Sequence, residues 1–381
     1  MNILISAEQN NQNTEWEVRK PVIKVIGLGG GGCNAVNRMI ELGLKNVEFI
    51  AANTDRQVLK DTLAPMKIQL GPVLTRGLGA GGNPDVGRAA ALESAAELRK
   101  ALEGADMVFL TAGMGGGTGT GSIPIAAEIA KELGAVTIAI VTMPFTFEAG
   151  RRQKNAREGL VRLNPHTHTL ITISNDRLLQ IQGGNMTIDV AFRVADDVLR
   201  QAVQGVTELV SEPGIINVDF AHIQRLMRMG GGAFLAIGQG EGEDKAKQAI
   251  QNAMRHPLLE SVSLDHASGV LVNFTGGKDL TLFEVTQALN MLQEQTNAQL
   301  DIVMGVVCDD CIKNRVQVIL IVTGVGGKPI EDVIPGMEKV VQTVSAPAVL
   351  VNQFQPMETR TIIQPEMYVC LLYTSPSPRD S

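Results

Sequence analysis

Five aliphatic runs punctuate the first half of the chain: VIKVIG (22–27), VEFIAANTD (47–55), DMVFLTAG (106–113), VTIAIVTMP (136–144) and HTLITISND (168–176). Their hydrophobicity is continuous rather than alternating, and each run stops at a glycine or polar turn, which predicts strands buried on both faces. Between them, NAVNRMIELGL (34–44), NPDVGRAAALESAAELRKALEG (83–104) and IPIAAEIAKELG (123–134) place apolar residues three and four apart and predict helices. Strand and helix in alternation predict an α/β fold, a Rossmann-like parallel sheet with its ligand loops at the carboxyl ends of the strands.

From Thr187 to Ser211 the period changes. Ile188, Ala191, Ala195, Val198, Ala202, Val206 and Leu209 recur at helical spacing until Pro213-Gly214 closes the run. A helix of this length spans about 36 Å, enough to connect two domains. Beyond it, AFLAIGQG, SGVLVNFTGG, DIVMGVV and RVQVILIVTG read as four more strands with two clear helices among them, which suits a smaller α+β domain. The expected layout is a flexible arm (1–19), a first domain (20–186), a central helix (187–212), a second domain (213–327) and a Pro/Gln/Thr-containing linker (328–369). The last twelve residues, CLLYTSPSPRDS (370–381), break with this pattern and read as a non-native end.

Charge removes several function classes. Forty acidic against 33 basic residues leave a net −7 with no long Lys/Arg cluster, so nucleic acid is not an expected partner. The longest aliphatic run, near Val318 to Val322, is far too short to cross a bilayer, so direct membrane insertion is not expected either. Four scattered cysteines do not make a disulfide framework.

Composition adds one positive signal. Fifteen of the 40 glycines fall in three loops. The first, GLGGGGCNAV (27–36), satisfies G-x-G-x-x-G between a strand and a helix; the second, GMGGGTGTGS (113–122), repeats that setting and adds the hydroxyls of Thr118 and Thr120. Bare backbone at helix N-termini admits phosphate, and two such nests suit a polyphosphate better than a dinucleotide, which needs one. Asp55 also lies too far beyond Gly27 for the usual ribose carboxylate of a Rossmann oxidoreductase, and GxxxxGK[ST] is absent, which excludes a P-loop.

GGGTGTG (115–121), together with IKVIGLGGGGCNAV, NTD (53–55), GLGAGGNPDVGR (77–88), NDRLL (175–179) and GIINVDFA (214–221), resembles the tubulin/FtsZ family of GTPases, and within it the bacterial cell-division members, over residues 20 to 326. The resemblance implies the tubulin/FtsZ fold, a GTPase domain joined through a long central helix to a smaller domain. It implies that Gly30, Gly31, Gly32, Cys33 and Asn34, with Gly117, Thr118 and Gly119, cradle the nucleotide; that Glu148 and Arg152 contact ribose and phosphates; and that Asn175, Phe192 and Asp197 form the base site. A carboxylate there would accept from guanine N1–H and N2–H, and Phe192 would stack on the ring. On the residues alone, Phe192 reads rather as core, and Glu148 with Arg152 as a helix ion pair. The implied cofactors are GTP or GDP with Mg2+ carried on the phosphates, and K+ as an additional candidate; no protein ligand to a metal is assigned.

The resemblance also implies hydrolysis completed in trans. The loop at 214–222 would enter the pocket of the next protomer and supply the catalytic residues Asn217 and Asp219, so the expected partner is the chain itself in a head-to-tail filament. The third position, usually Asp, is His222 here. An imidazole does not replace a fixed carboxylate in polarising water or holding a cation, so slowed hydrolysis is expected, with a GTP-gated scaffold of little turnover as the alternative. The implied location is cytoplasmic, in a division ring beneath the inner membrane. Membrane-tethering division proteins would bind a C-terminal peptide that is not evident in this sequence. Cys308-Asp309-Asp310-Cys311 lacks a second pair or nearby His and reads as a solvated loop rather than a zinc site. Cys33 is open to two readings, a reactive thiol at a helix N-terminus or a small packing residue.

Overall fold

In the computed structural model, which describes residues 20–148, 150–181, 186–211, 216, 218–230, 232–259, 267–296, 300–309 and 312–324, every aliphatic run of the sequence becomes a strand. The strands are β1 (Ile23–Leu28), β2 (Glu48–Asn53), β3 (Met66–Gln69), β4 (Met107–Gly113), β5 (Val136–Met143), β6 (Thr169–Ser174), β7 (Gly232–Glu241), β8 (Gly269–Gly276), β9 (Asp301–Cys308) and β10 (Arg315–Thr323). They form one sheet in the order β3-β2-β1-β4-β5-β6-β7-β10-β8-β9. β1 to β6 pair in parallel, whereas β10 runs antiparallel to both β7 and β8. β4 and β5 are buried almost throughout, as expected of a parallel sheet covered on both faces. The parallel and mixed halves meet at β6 and β7 through Leu170↔Gly232 and Ile171↔Ala233 alone.

The helices over the first half are α1 (Gly29–Glu41), α2 (Arg56–Asp61), α3 (Pro72–Thr75), α4 (Pro84–Glu93), α5 (Ala95–Leu102), α6 (Thr118–Glu132), α7 (Gly150–Leu163) and α8 (Asn175–Ile181). The single helix expected over 83–104 is two. Its break is Ser94, whose hydroxyl donates to the Gln69 carbonyl at 3.2 Å and accepts from the Gly71 amide at 3.0 Å. That side chain competes with the helix for backbone partners and ties the break to the end of β3. α6 begins at Thr118, earlier than the apolar period, because the second glycine loop itself coils into the first turn.

The remaining helices are α9 (Ile188–Ser211), α10 (Phe220–Arg228), α11 (Lys245–Met254) and α12 (Leu282–Glu294). The long central helix therefore exists as expected, with 24 residues. Its apolar stripe of Ala195, Val198, Leu199, Ala202, Val206 and Leu209 lies in one core with Val25, Ile138 and Ile171 of the parallel half and Leu271, Val303 and Ile319 of the mixed half. Its polar face also reaches the mixed half, where Gln317 donates to Gln201 at 2.7 Å and Asn273 donates to Glu208 at 3.1 Å. The expected arm (1–19), linker (328–369) and non-native end (370–381) lie outside the described residues, as do 212–215 and Asn217 of the expected trans loop.

Candidate nucleotide site

The carboxyl ends of β1 and β4 feed the two glycine loops directly into α1 and α6. Neither helix has a side-chain cap or an acidic residue in its first turn, so both N-termini present backbone N–H groups at the same rim. The loops interlock main chain to main chain. A Cβ on Gly29, whose φ is +72°, would lie 2.7 Å from the Gly119 amide nitrogen. One on Gly31 would lie 3.2 Å from Gly113, and one on Gly32 only 2.4 Å from the Thr111 carbonyl oxygen. The third glycine loop, GLGAGGNPDVGR (77–88), closes in the same way: a Cβ on Gly117 would meet the Asn83 amide at 2.8 Å, and one on Gly121 the Pro84 carbonyl at 2.0 Å. Gly30 and Gly116 differ, since a Cβ on either would meet nothing within 4 Å. The glycines thus divide into those that let loops touch and those that leave open backbone for a ligand.

Hydroxyls and a cross-link complete the rim. Thr54 and Thr118 hydroxyls lie 2.5 Å apart, linking the end of β2 to the start of α6, while Thr120 accepts from the Gly115 amide at 2.8 Å and holds the second loop closed. The Asn155 amide donates to the Gly82 carbonyl at 3.3 Å and to the Gly115 carbonyl at 3.2 Å, joining the third loop to the second from α7. Glu148 and Arg152 form the helix ion pair that the residues alone allowed. The other Glu148 oxygen accepts from the Phe145 amide at 2.8 Å, so this carboxylate shapes the turn after β5, and the Arg152 main chain and Cβ lie beside Gly115.

Cys33 lies under the rim rather than on it. It is fully buried, its sulfur accepts from Asn53 at 3.9 Å, and burial pushes the thiol up to about 11. This overturns the reactive reading: the helix N-terminus does not offset loss of solvent around the sulfur, and Cys33 packs. Asn34, next along α1, is exposed.

Of the residues expected at the base site, Asn175 and Phe192 lie near the starts of α8 and α9. Asn175 is 4% exposed and its side-chain oxygen has no hydrogen-bond partner. Phe192 is 41% exposed and meets Phe145 edge-on at 5.3 Å, and Phe145 stacks on Phe147 at 5.1 Å. Asp197 does not join them. Both its oxygens accept from its own helix, one from Arg200 at 2.8 Å and one from Gln201 at 2.7 Å. One residue earlier, Asp196 stands one helical turn from Phe192 on the same face. It is largely buried, and burial pushes its carboxyl up to about 7 against the opposing charge of Arg38.

Asp219 and His222 belong to a different place. Asp219 caps α10 by accepting from the Ala221 amide at 3.1 Å, and both side chains are exposed. The other end of α10 docks at the amino ends of the parallel strands, where Thr169 donates to the Met227 carbonyl at 2.7 Å and Arg228 donates to the Gly134 carbonyl at 3.1 Å. Among the described residues, no hydrogen bond or ion pair joins Asp219 or His222 to the glycine loops.

A family model for the GTPase domain of the Tubulin/FtsZ family matches residues 22–183, and one for the C-terminal domain of the FtsZ family matches residues 231–326. An empty FtsZ dimer from M. jannaschii is 45% identical with a TM-score of 0.78, over 82% of this chain and 90% of that one. The chain belongs to the FtsZ family. A point-substituted form of the M. jannaschii protein is 46% identical with a TM-score of 0.77, over 80% of this chain and 92% of that one. CetZ2 from Haloferax volcanii, solved as a GTPγS-bound protofilament, shares the fold at 21% identity and a TM-score of 0.68, over 80% of this chain and 93% of that one.

Two residues that the structure brings to this rim and to Phe192 were not singled out in the sequence. Thr54 lay inside the NTD motif with no signal that its hydroxyl faces Thr118. Asp196 was masked by its neighbour, although the four-residue spacing from Phe192 separates the two. Elsewhere, His168 is structural: its Nδ1 accepts from the Thr137 amide at 3.0 Å, and burial, with Arg228 and Lys131 nearby, lowers its pKa. Cys308 is exposed at the end of β9, and Cys311 lies outside the described residues.

Proposed function

We propose that this chain is a GTPase that polymerises head to tail into cytoskeletal filaments and forms the ring at which a bacterial cell divides, with hydrolysis at the subunit interface driving filament turnover. The observation that carries this reading is the separation of the site into two places on one chain. The interlocked loops offer open backbone at Gly30 and Gly116, while Asp219 and His222 stand exposed at the far end of α10. A second copy, stacked end on end, brings those side chains to the phosphates, and heterologous contact without closure makes an open filament.

The described residues fit GTP. The uncapped N-termini of α1 and α6 would bind the phosphates, Thr54 and Thr118 would lie where Mg2+ reaches the terminal phosphates, and Arg152 would balance their charge. K+ is a further candidate cation. Phe192 and the unpartnered Asn175 oxygen would hold the base, and Asp196 rather than Asp197 would accept from guanine N1–H and N2–H. Asp219, together with Asn217, would orient the attacking water in trans. No helix among the described residues is long and apolar enough to cross a membrane, and a cytoplasmic ring held to the inner membrane by tethering partners is the setting we assign.

Phosphate release measured against protein concentration tests this. Turnover per subunit should rise steeply with concentration, and Asp219→Ala should bind GTP normally while turnover falls at least about a hundredfold. Turnover per subunit that is independent of concentration overturns the split site. The exposed imidazole at 222, where the family pattern has a carboxylate, favours a second reading of a GTP-gated scaffold with slow turnover. His222→Asp should then speed hydrolysis severalfold at unchanged assembly; no change in turnover removes that reading.

A further inference from the structure

α1 and α9 pack along one another, and both begin at the glycine-loop end of the sheet. On α1, Arg38 lies one turn beyond Asn34 on the same face, just as Asp196 lies one turn beyond Phe192 on α9. Each of these two inner residues is incomplete. The Arg38 Nε is buried without an acceptor, and its Nη1 is 3.7 Å from Glu41. Asp196 is largely buried, and among the described residues no hydrogen bond or ion pair reaches it. A buried donor and a buried carboxylate left open on facing helices are costly, and such groups call for an explanation in a ligand or in each other's field.

We propose that Arg38 is a positioning residue for base recognition: its charge, beside α9, favours the form of Asp196 able to accept two hydrogen bonds, and so sets the preference for guanine over purines lacking the paired N1–H and 2-amino donors. The proposal rests on the base-site reading above. An ionised carboxylate accepts from both donors of guanine, from the single N1–H of hypoxanthine and from neither edge position of adenine. Protonated, it loses that paired acceptor. Burial favours the protonated form near neutral pH, and Arg38 is the charge that acts against it.

Other charges near these helices are already engaged. Glu41 faces Arg38 itself, and on α9 Asp189 pairs with Arg193 and Asp197 with Arg200. On α8, Asp176 accepts from Thr146, and Arg177 donates to the Pro257 and Leu258 carbonyls.

The test is calorimetric binding of GDP and IDP from pH 6 to pH 9, at protein concentrations too low for assembly. Wild type, Arg38→Met, Arg38→Lys and Asp196→Asn are compared. In Arg38→Met the pH at which GDP affinity reaches half its plateau should rise by about one unit, making binding about fivefold weaker at pH 7 and close to wild type by pH 9. The preference for GDP over IDP should weaken in parallel, and Arg38→Lys should stay within about threefold of wild type. A profile that superposes on wild type, or a loss equal at every pH, overturns the role of Arg38. If Asp196→Asn loses the GDP preference while Arg38→Met keeps it, the base site stands and only Arg38 falls. If Asp196→Asn keeps that preference, the base-site reading itself falls.

Discussion

The rim proposed for the phosphates is made of main chain at the starts of α1 and α6, whereas the pocket proposed for the base is made of side chains on α8 and α9. At the rim, Gly29 against Gly119, Gly32 against Thr111 and Gly121 against Pro84 leave no room for a Cβ. In the base pocket, Phe192, Asn175 and Asp196 sit on ordinary helical backbone that would accept many residues. The rim is fixed by exclusion and the pocket by choice. One fails when a methyl group is added, the other when a functional group is moved by a single position.

The largest effect should come at the rim. Gly121→Ala places its Cβ 2.0 Å from the Pro84 carbonyl, so it should cost about 3 kcal/mol or more, or prevent folding. Gly30→Ala meets open space and should leave the urea midpoint nearly unchanged while weakening nucleotide binding. Equal midpoints for the two variants would erase the division between packing and ligand glycines.

Next in size is the pH dependence of the nucleotide-free protein. The Asp196 carboxyl stands at about 7 in the folded chain against 3.8 for an ordinary aspartate, so the native state holds its proton more tightly than the unfolded state does. Its stabilising contribution is complete below pH 4, declines as pH rises from about 4 to about 7, and stays lost above that. Wild type should therefore lose a few kcal/mol across this window relative to Asp196→Asn. Melting temperatures at pH 5 and pH 8 should converge for the variant and diverge for wild type. Parallel curves would mean that the pocket carries no buried charge.

A smaller change should follow Asp197→Asn. It removes an ion pair with a partly exposed carboxylate, costs about 0.5 kcal/mol, and should leave nucleotide affinity within twofold. A loss as large as that of Asp196→Asn would return the base contact to Asp197. The smallest signal is a null. With its thiol at about 11 and no exposed surface, Cys33 should resist maleimide at pH 8 until the chain unfolds, as mapped by peptide mass. Labelling in the native state would place that thiol on the ligand side of the loop.

The same contrast governs what could be read from the chain. Strands buried on both faces and loops that tolerate only glycine leave unmistakable patterns, so nine of the ten strands and all three glycine loops were legible. β3 was not, being four residues long with two of them exposed. The break at Ser94 was invisible because its cause is the carbonyl and amide of Gln69 and Gly71, remote in sequence. α10 was hidden behind the motif that precedes it. Asn175 and Phe192 drew attention only through family resemblance, since an aromatic on a helix face has no signature separating platform from core. The Asp196/Asp197 ambiguity has the same origin: adjacent positions on a helix differ by about 100° of rotation, and only the packing of α1 against α9 decides which one turns inward.

The main-chain contact between the first two loops also constrains inheritance. Gly29 cannot gain a side chain unless the second loop retreats, Gly119 cannot gain one without displacing the Leu28 and Gly113 carbonyls at 3.0 Å, and Gly31 can do so only if Gly113 gives way. At the interlocked positions a change in one loop therefore requires a matching change in the other, which ties the two together. In these two loops variation enters through Gly30 and Gly116, where a Cβ meets open space, and through Gly113, where its neighbours lie at 3.7 Å.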